Sequence, residues 1–343
     1  MREFGSDFHL AESFRPADAA TLTPRPSGTL YACGRHALEA LLLFGMKNSG
    51  WRRIWIPEYF CGGVTAHIAR TGIGTVFYPD SPESDDRAVL QSLPFSEGDA
   101  VLRMNYFGLR SRRSSRGLGV PVIEDHSHGV LSEWALGSDA DYCIASLRKT
   151  VPLAGGGAAW SPSGKSLPPA PAVSAETERL CRRRAEAMRL KRDYLAGGPV
   201  RKEEFRNIYI ETEQAFDTLP LSAMSTADCT MLSEFDTAAF YRAKKENFRR
   251  LTAQLSEDIE YLRPESGEET PFSLVLKLGS SDRLARIKQK LTDSCVYPAH
   301  LWPLPPQTAE RYGHYLSIHC DGRYSAEDMD ELARLINQAY RHD

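Results

Sequence analysis

Short apolar runs of strand length alternate with helical stretches through the first half of the chain, and this alternation constrains the fold more than any other feature. Residues 53–56, 75–78, 100–104, 120–124, 142–146 and 157–160 read as strands. Residues 33–44 (CGRHALEALLLF) read as a strongly apolar helix, 60–71 as a helix weakened by Gly62 and Gly63, and 110–118 as a polar short helix. Strands alternating with helices imply a mostly parallel sheet covered on both faces. In such sheets ligands sit beyond the carboxyl ends of the strands.

Two of those ends carry reactive side chains. Asp125 follows the run at 120–124, and Lys149 follows the run at 142–146, just before the cluster Gly155–Gly157. A carboxylate and an amine so placed match the needs of pyridoxal 5′-phosphate (PLP). The amine holds the cofactor as a Schiff base, and the carboxylate keeps the pyridine nitrogen protonated. To work near neutrality the lysine must fall from about 10.4 to roughly 7–8, which burial and a cationic neighbour, here Arg148, promote. Asp125 reads equally well as a turn residue or helix cap; as a buried carboxylate it requires a cationic partner such as a pyridinium.

His126 and His128 form an H-x-H beside Asp125. That pattern admits a metal-dependent hydrolase, although His300, His314 and His319 lack a ligand spacing to the pair. For His128, donation to the cofactor's ring oxygen is the stronger reading. Gly34 and Arg35 open the first helix, where free N–H groups and the helix dipole bind phosphate. Tyr59 or Phe60 can stack on a ring or simply fill core. Arginines 110, 112, 113 and 116, and a basic run at 179–192, read as solvated faces or as docking points for a nucleotide-linked substrate.

At 343 residues, with 42% apolar and 25% charged residues, the chain suits a large domain plus a smaller one. A net charge of −3 offers no general attraction to nucleic acid or membrane. No run approaches the ~18 apolar residues that span a bilayer. The seven cysteines are scattered without a CxxC pair, and MREFGSDFHL lacks the apolar centre of a signal peptide. Together these read as a cytoplasmic protein with reduced thiols. Residues 1–24 read as an N-terminal arm packing late or on a partner, and 161–172 as a surface loop. Helices are expected over 175–196 and 201–216, and one long helix over 226–255. Strand 272–278, helix 282–292, strand 315–319 and helix 326–340 make a small α+β unit. The expected boundaries are 25–225 for the large domain and 226–343 for the small one.

The ordered set of Gly34-Arg35-His36-Ala37-Leu38, Pro57-Glu58-Tyr59, Ile123-Glu124-Asp125 with His128, Ser146 before Lys149, the triple glycine, Val296-Tyr297-Pro298 and the segment 316–321 resembles the fold type I PLP enzymes. Within them it resembles the DegT/DnrJ/EryC1/StrS aminotransferases. The resemblance spans about residues 28–340. It implies Lys149 as the cofactor-linked lysine and proton shuttle, Asp125 at the pyridinium nitrogen, and His128 near the ring hydroxyl. Ser127 would lie against a ring face, Gly34, Arg35 and Ser146 at the phosphate, and Phe60 near the stacking position. It further implies a homodimer with sites at the interface, and transfer of an amino group, often from glutamate, to a nucleotide-linked keto-sugar. Arg35 stands where the family has threonine, and Ser146 lies closer to the lysine than is usual. These departures leave room for a regulatory subunit with degenerate chemistry.

Overall fold

The computed structural model describes residues 2–5, 7–10 and 28–341. In chain order the first elements are β1 (Phe4–Gly5), β2 (Gly28–Tyr31), α1 (Gly34–Ser49), β3 (Arg53–Pro57), α2 (Gly62–Arg70), β4 (Gly74–Tyr78), α3 (Asp86–Ser92) and β5 (Asp99–Met104). Then follow β6 (Val122–Asp125), α4 (Glu133–Leu136), β7 (Tyr142–Ala145), β8 (Gly157–Trp160), α5 (Ala175–Leu195) and α6 (Lys202–Thr218). The remainder comprises α7 (Thr226–Glu234), α8 (Thr237–Thr252), β9 (Leu274–Leu278), α9 (Ser281–Asp293), β10 (Val296–Tyr297), β11 (Ala299–His300), α10 (Pro306–Tyr312), β12 (His314–Ile318) and α11 (Ala326–Arg341).

The large sheet has seven strands in the order β2-β8-β7-β6-β5-β3-β4. From β7 to β4 every pairing is parallel, while β8 runs antiparallel to both neighbours. The apolar runs are nearly continuous because both faces are buried. Alternate side chains divide between two cores, as the two-residue strand period requires. Ile54, Ile56, Leu102, Ile123, Ile144 and Ala159 face α1 with Leu38 and Leu41. Trp55, Val101, Val122, Cys143, Ala158 and Trp160 face the opposite side, with Met188 and Phe216 from α5 and α6. A third core, built on Leu274, Leu316, Ile336 and Leu332, joins the antiparallel sheet β11-β12-β9 to α9 and α11.

Two expected elements differ. The long helix at 226–255 is interrupted at Phe235 and Asp236: Phe235 is extended, and the Asp236 carboxylate caps α8 by accepting from Ala239 N–H at 2.8 Å. An aspartate before a helical run starts a new helix here rather than continuing the old one. The expected short helix at 110–118 is a loop, because its side chains are committed to tertiary partners. Arg110 is buried on Asp80, Arg113 meets Asp86, and Ser115 N–H donates to Asp139. Arg110 is therefore structural, not a docking group.

The expected arm lies outside the described residues at 11–24. Nearer the start, Phe4–Gly5 pairs in parallel with Val296–Tyr297, and Phe8 is buried. Arg323 fastens this segment, donating to the carbonyls of Gly5 and Asp7 at 2.9 Å while gripping Asp321 at 2.8 and 2.9 Å. Its guanidinium also lies over the Phe8 ring. With four of its five N–H groups so committed and its side chain buried, Arg323 is a structural residue. Arg323→Ala is expected to strand a buried charge and to lower stability by about 3–5 kcal/mol in urea denaturation. The Asp321 carboxyl, pushed up by burial, is carried well below its usual range by Arg323 and His319. A carboxyl lowered on folding stabilises above its unfolded value of about 3.9, so this contribution is lost as pH falls below about 4.

Candidate active site

The carboxyl ends of β6 and β7 meet the N-terminus of α1 through close backbone contacts. Ser127 N–H donates to Asp125 Oδ1 at 2.8 Å, and Ser146 N–H donates to Ser127 Oγ at 2.9 Å, which ties the two strand ends together. Leu147 N–H donates to the Gly156 carbonyl at 3.0 Å, and Gly156 N–H to the Ala32 carbonyl at 2.7 Å. A Cβ on Gly157 would lie 2.2 Å from the Cys33 carbonyl and 2.5 Å from Gly34 N. A Cβ on Gly34 would lie 2.8 Å from that of Ser146. Both glycines are thus required by proximity. Asp228 at the start of α7 holds the glycine loop from outside, accepting from Ala154 and Gly155 N–H at 2.9 and 3.1 Å.

Asp125, Ser127, Ser146 and Lys149 line one narrow cavity of about 90 Å³, together with Phe60 and Trp302. Gly34 and Arg35 border the same space. His128 lines a wider cavity of about 500 Å³, with Arg184, Arg206, Tyr209 and His319. The two share Arg148, Lys149 and Glu213, so a ligand can extend from one into the other. Lys149 is half-buried, and among the described residues its amine has no hydrogen-bond or ion-pair partner.

His128 is held edge and face. Its Nδ1 accepts from Phe107 N–H at 3.1 Å, so the ring hydrogen resides on Nε2. That Nε2 is buried and has no partner among the described residues. Phe107 and Phe272 stack on the ring at 5.4 and 4.5 Å. Burial first, then Lys149, Lys244 and His319, push the imidazole well below its ordinary value. The ring is therefore neutral at physiological pH and a donor through Nε2. Phe107 adopts a left-handed conformation, φ 53°, which an L-residue holds only when its surroundings enforce it. Here Phe272 N–H, donating to the Phe107 carbonyl at 2.6 Å, supplies that constraint.

Arg35 borders the cavity, but its Nη1 is paired with Asp217 and its Nη2 lies 3.6 Å from Glu213. Arg148 grips Glu213 with both terminal nitrogens, at 2.6 and 2.8 Å, and Arg184 approaches the same carboxylate at 3.4 Å. Burial raises the Glu213 carboxyl, and Arg148, Arg184 and Arg35 override it, bringing it down to about 2. Sequence reasoning missed Glu213 and Trp302 and did not bring Arg35, Arg148 and Arg184 together. Arg148 was visible only as the neighbour of Lys149. Glu213, in the middle of a polar helix, carried no signal.

The metal reading of His126 and His128 fails. His126 points to the other side of the sheet, 3.1 Å from Glu124 and packed on Trp134 and Trp160. Among the described residues, the group able to hold a metal is Glu124, His126 and Cys143, without His128. Its carboxylate already accepts from Ser115 at 2.9 Å and Ser138 at 2.6 Å, beside the guanidinium of Arg103.

No protein-family model matches the sequence, and a comparison with curated proteins finds no match. Solved structures do match over nearly the whole chain. PseC of Helicobacter pylori, an aminotransferase involved in the biosynthesis of pseudoaminic acid, aligns over 100% of both chains at 13% identity, with a TM-score of 0.63. A DegT/DnrJ/EryC1/StrS aminotransferase from Brucella abortus covers 90% of this chain and 85% of its own, at 15% identity and a TM-score of 0.60. NtdA of Bacillus subtilis, solved with bound cofactor PMP, covers 91% of this chain and 73% of its own, at 13% identity and a TM-score of 0.60. At such identities the likeness is one of fold: this chain has the fold type I architecture of the DegT/DnrJ/EryC1/StrS aminotransferases.

Proposed function

We propose that the protein is a PLP-dependent aminotransferase that moves an amino group from an amino-acid donor, glutamate first among those to test, to a nucleotide-linked keto-sugar. The observation that carries this reading is an unpaired amine, Lys149, and a buried carboxylate, Asp125, lining one cavity at adjacent strand ends. The orphaned Nε2 of buried His128 nearby fits a cofactor with a ring oxygen to receive it. PLP, when bound, supplies an electron-accepting ring.

The remaining work falls to the chain. Asp125 would keep a proton on the ring nitrogen: its carboxylate is 5% exposed, its one hydrogen bond among the described residues is from Ser127 N–H, and a cation would offset the cost of burying it. His128 would donate to the ring oxygen from Nε2 and, being neutral, would add no charge. Phe60 and Trp302, on the wall of the inner cavity, would flank the ring and exclude water. The Lys149 amine takes the proton from the donor's α-carbon and returns one to the acceptor. The wider cavity, with Arg184 and Arg206 on its wall, suits an anionic acceptor. DesI, another structural match, was solved in the presence of its TDP-sugar product, which supports that substrate class. We assign the cofactor to a unit of residues 25–225 and residues 226–343 to a smaller unit, with 1–24 as an arm. We further expect a cytoplasmic homodimer; among the described residues no helix is long and apolar enough to cross a membrane.

Titrating the purified protein with PLP tests the assignment. A yellow species that an amino donor bleaches is expected; absence of any visible band at saturating cofactor would sink it. Asp125→Asn, which preserves shape but removes the charge, is expected to bind cofactor and to slow the donor half-reaction about 10²-fold or more, read by stopped-flow absorbance.

A further inference from the structure

Arg35 and Arg148 leave two guanidinium donors stranded. Among the described residues Arg35 Nη2 and Arg148 Nε are buried without a hydrogen-bond partner, although both side chains border the inner cavity. One oxygen, Glu213 Oε1, bridges the two groups, at 3.6 Å from Arg35 and 2.6 Å from Arg148. Among the described residues Arg35, Arg148 and Arg184 face Glu213 and Asp217, with Asp7 acting on Arg184 from the wider cavity, so the guanidiniums gather at the cavity with their carboxylates set to one side. The 16-residue helix α1 begins beside it, and its N-cap residue Cys33 provides no side-chain cap. An uncapped helix start and stranded guanidinium donors share one preference, a compact oxyanion.

We propose that Arg35 Nη2 and Arg148 Nε grip the cofactor's 5′-phosphate, with Glu213 as the internal anion that holds both guanidiniums in position. This rests on the PLP assignment above and deepens it. Arginines take over a task that hydroxyl groups and backbone amides can perform alone, and they make phosphate recognition charge-assisted. Arg148 would thereby be tied both to Lys149, its neighbour in sequence, and to the phosphate arm, which PLP carries on the ring carbon next to the one bearing the aldehyde. Glu213 is a positioning residue: bound in bidentate fashion by Arg148, it fixes the direction in which Nε points.

The test compares PLP with pyridoxal, which lacks the phosphate, by absorbance titration. The apo protein's melting temperature is followed separately with inorganic phosphate. Arg35→Gln and Arg148→Gln are each expected to weaken PLP binding about 30-fold while leaving pyridoxal within threefold, and to abolish the phosphate-induced rise in melting temperature. Should Arg148→Gln fail to fold because Glu213 loses its bidentate partner, the double variant Arg148→Gln/Glu213→Gln removes both charges and is expected to lose the same discrimination. Equal losses for PLP and pyridoxal, or unchanged PLP binding, would overturn the clamp while leaving the PLP assignment standing. Stabilisation by inorganic phosphate that depends on both arginines, without binding of either PLP or pyridoxal, would support the anion clamp and overturn its assignment to PLP.

Discussion

Lys149→Ala is expected to abolish the visible absorbance of the cofactor-loaded protein and to cut amino transfer by at least about 10³-fold. Two separate losses combine. On the proposed function, the amine that would attach the cofactor is gone, and so is the base that would move the proton at the donor's α-carbon. Stability should change little, because Lys149 is half-buried and its amine has no partner among the described residues. A melting temperature within a few degrees of the parent, alongside the lost absorbance, separates the chemical role from a structural one. Activity within tenfold of the parent would remove Lys149 from the reaction.

Gly157→Ala is expected to cost much stability for so small a change. The added Cβ meets backbone on the neighbouring segment, 2.2 Å from the Cys33 carbonyl and 2.5 Å from Gly34 N, and no rotamer change relieves that overlap. Strand β8 must part from the start of α1, at about 3 kcal/mol or more in chemical denaturation. The displaced helix start would also weaken cofactor binding. Gly62→Ala is the control: open space surrounds it at the beginning of α2, so it is expected to be neutral or slightly stabilising. Similar effects for both would show that the contact at Gly157 yields easily.

Much of the α/β architecture was legible from period and punctuation. The apolar runs marked the strands because a strand covered on both faces has no polar positions to spare. Their last residues located Asp125 and Lys149, since the direction of a parallel sheet places ligands at one end. The break at Asp236 was less legible. The segment 226–255 has helical composition throughout, and an aspartate inside it can be a surface residue as readily as a cap.

The separation of His126 from His128 shows most plainly what sequence cannot decide. Residues two apart share a face only while a strand continues. Here β6 ends at Asp125 and the chain turns at once, with Gly129 N–H donating to the His126 carbonyl at 2.9 Å. The turn sends one ring under the sheet and the other into the cavity. Arg323 and Arg148 were likewise ambiguous as letters: each arginine can meet a ligand, a carboxylate or solvent, and only its partners distinguish these fates. Sequence alone determined most strands of the large sheet and the two strand-end groups, because these follow from local hydrophobic period. Tertiary structure alone decided that Glu213 faces Arg35 and Arg148, because charge pairing between residues more than sixty positions apart depends on how α6 packs beneath the sheet, which no local pattern encodes.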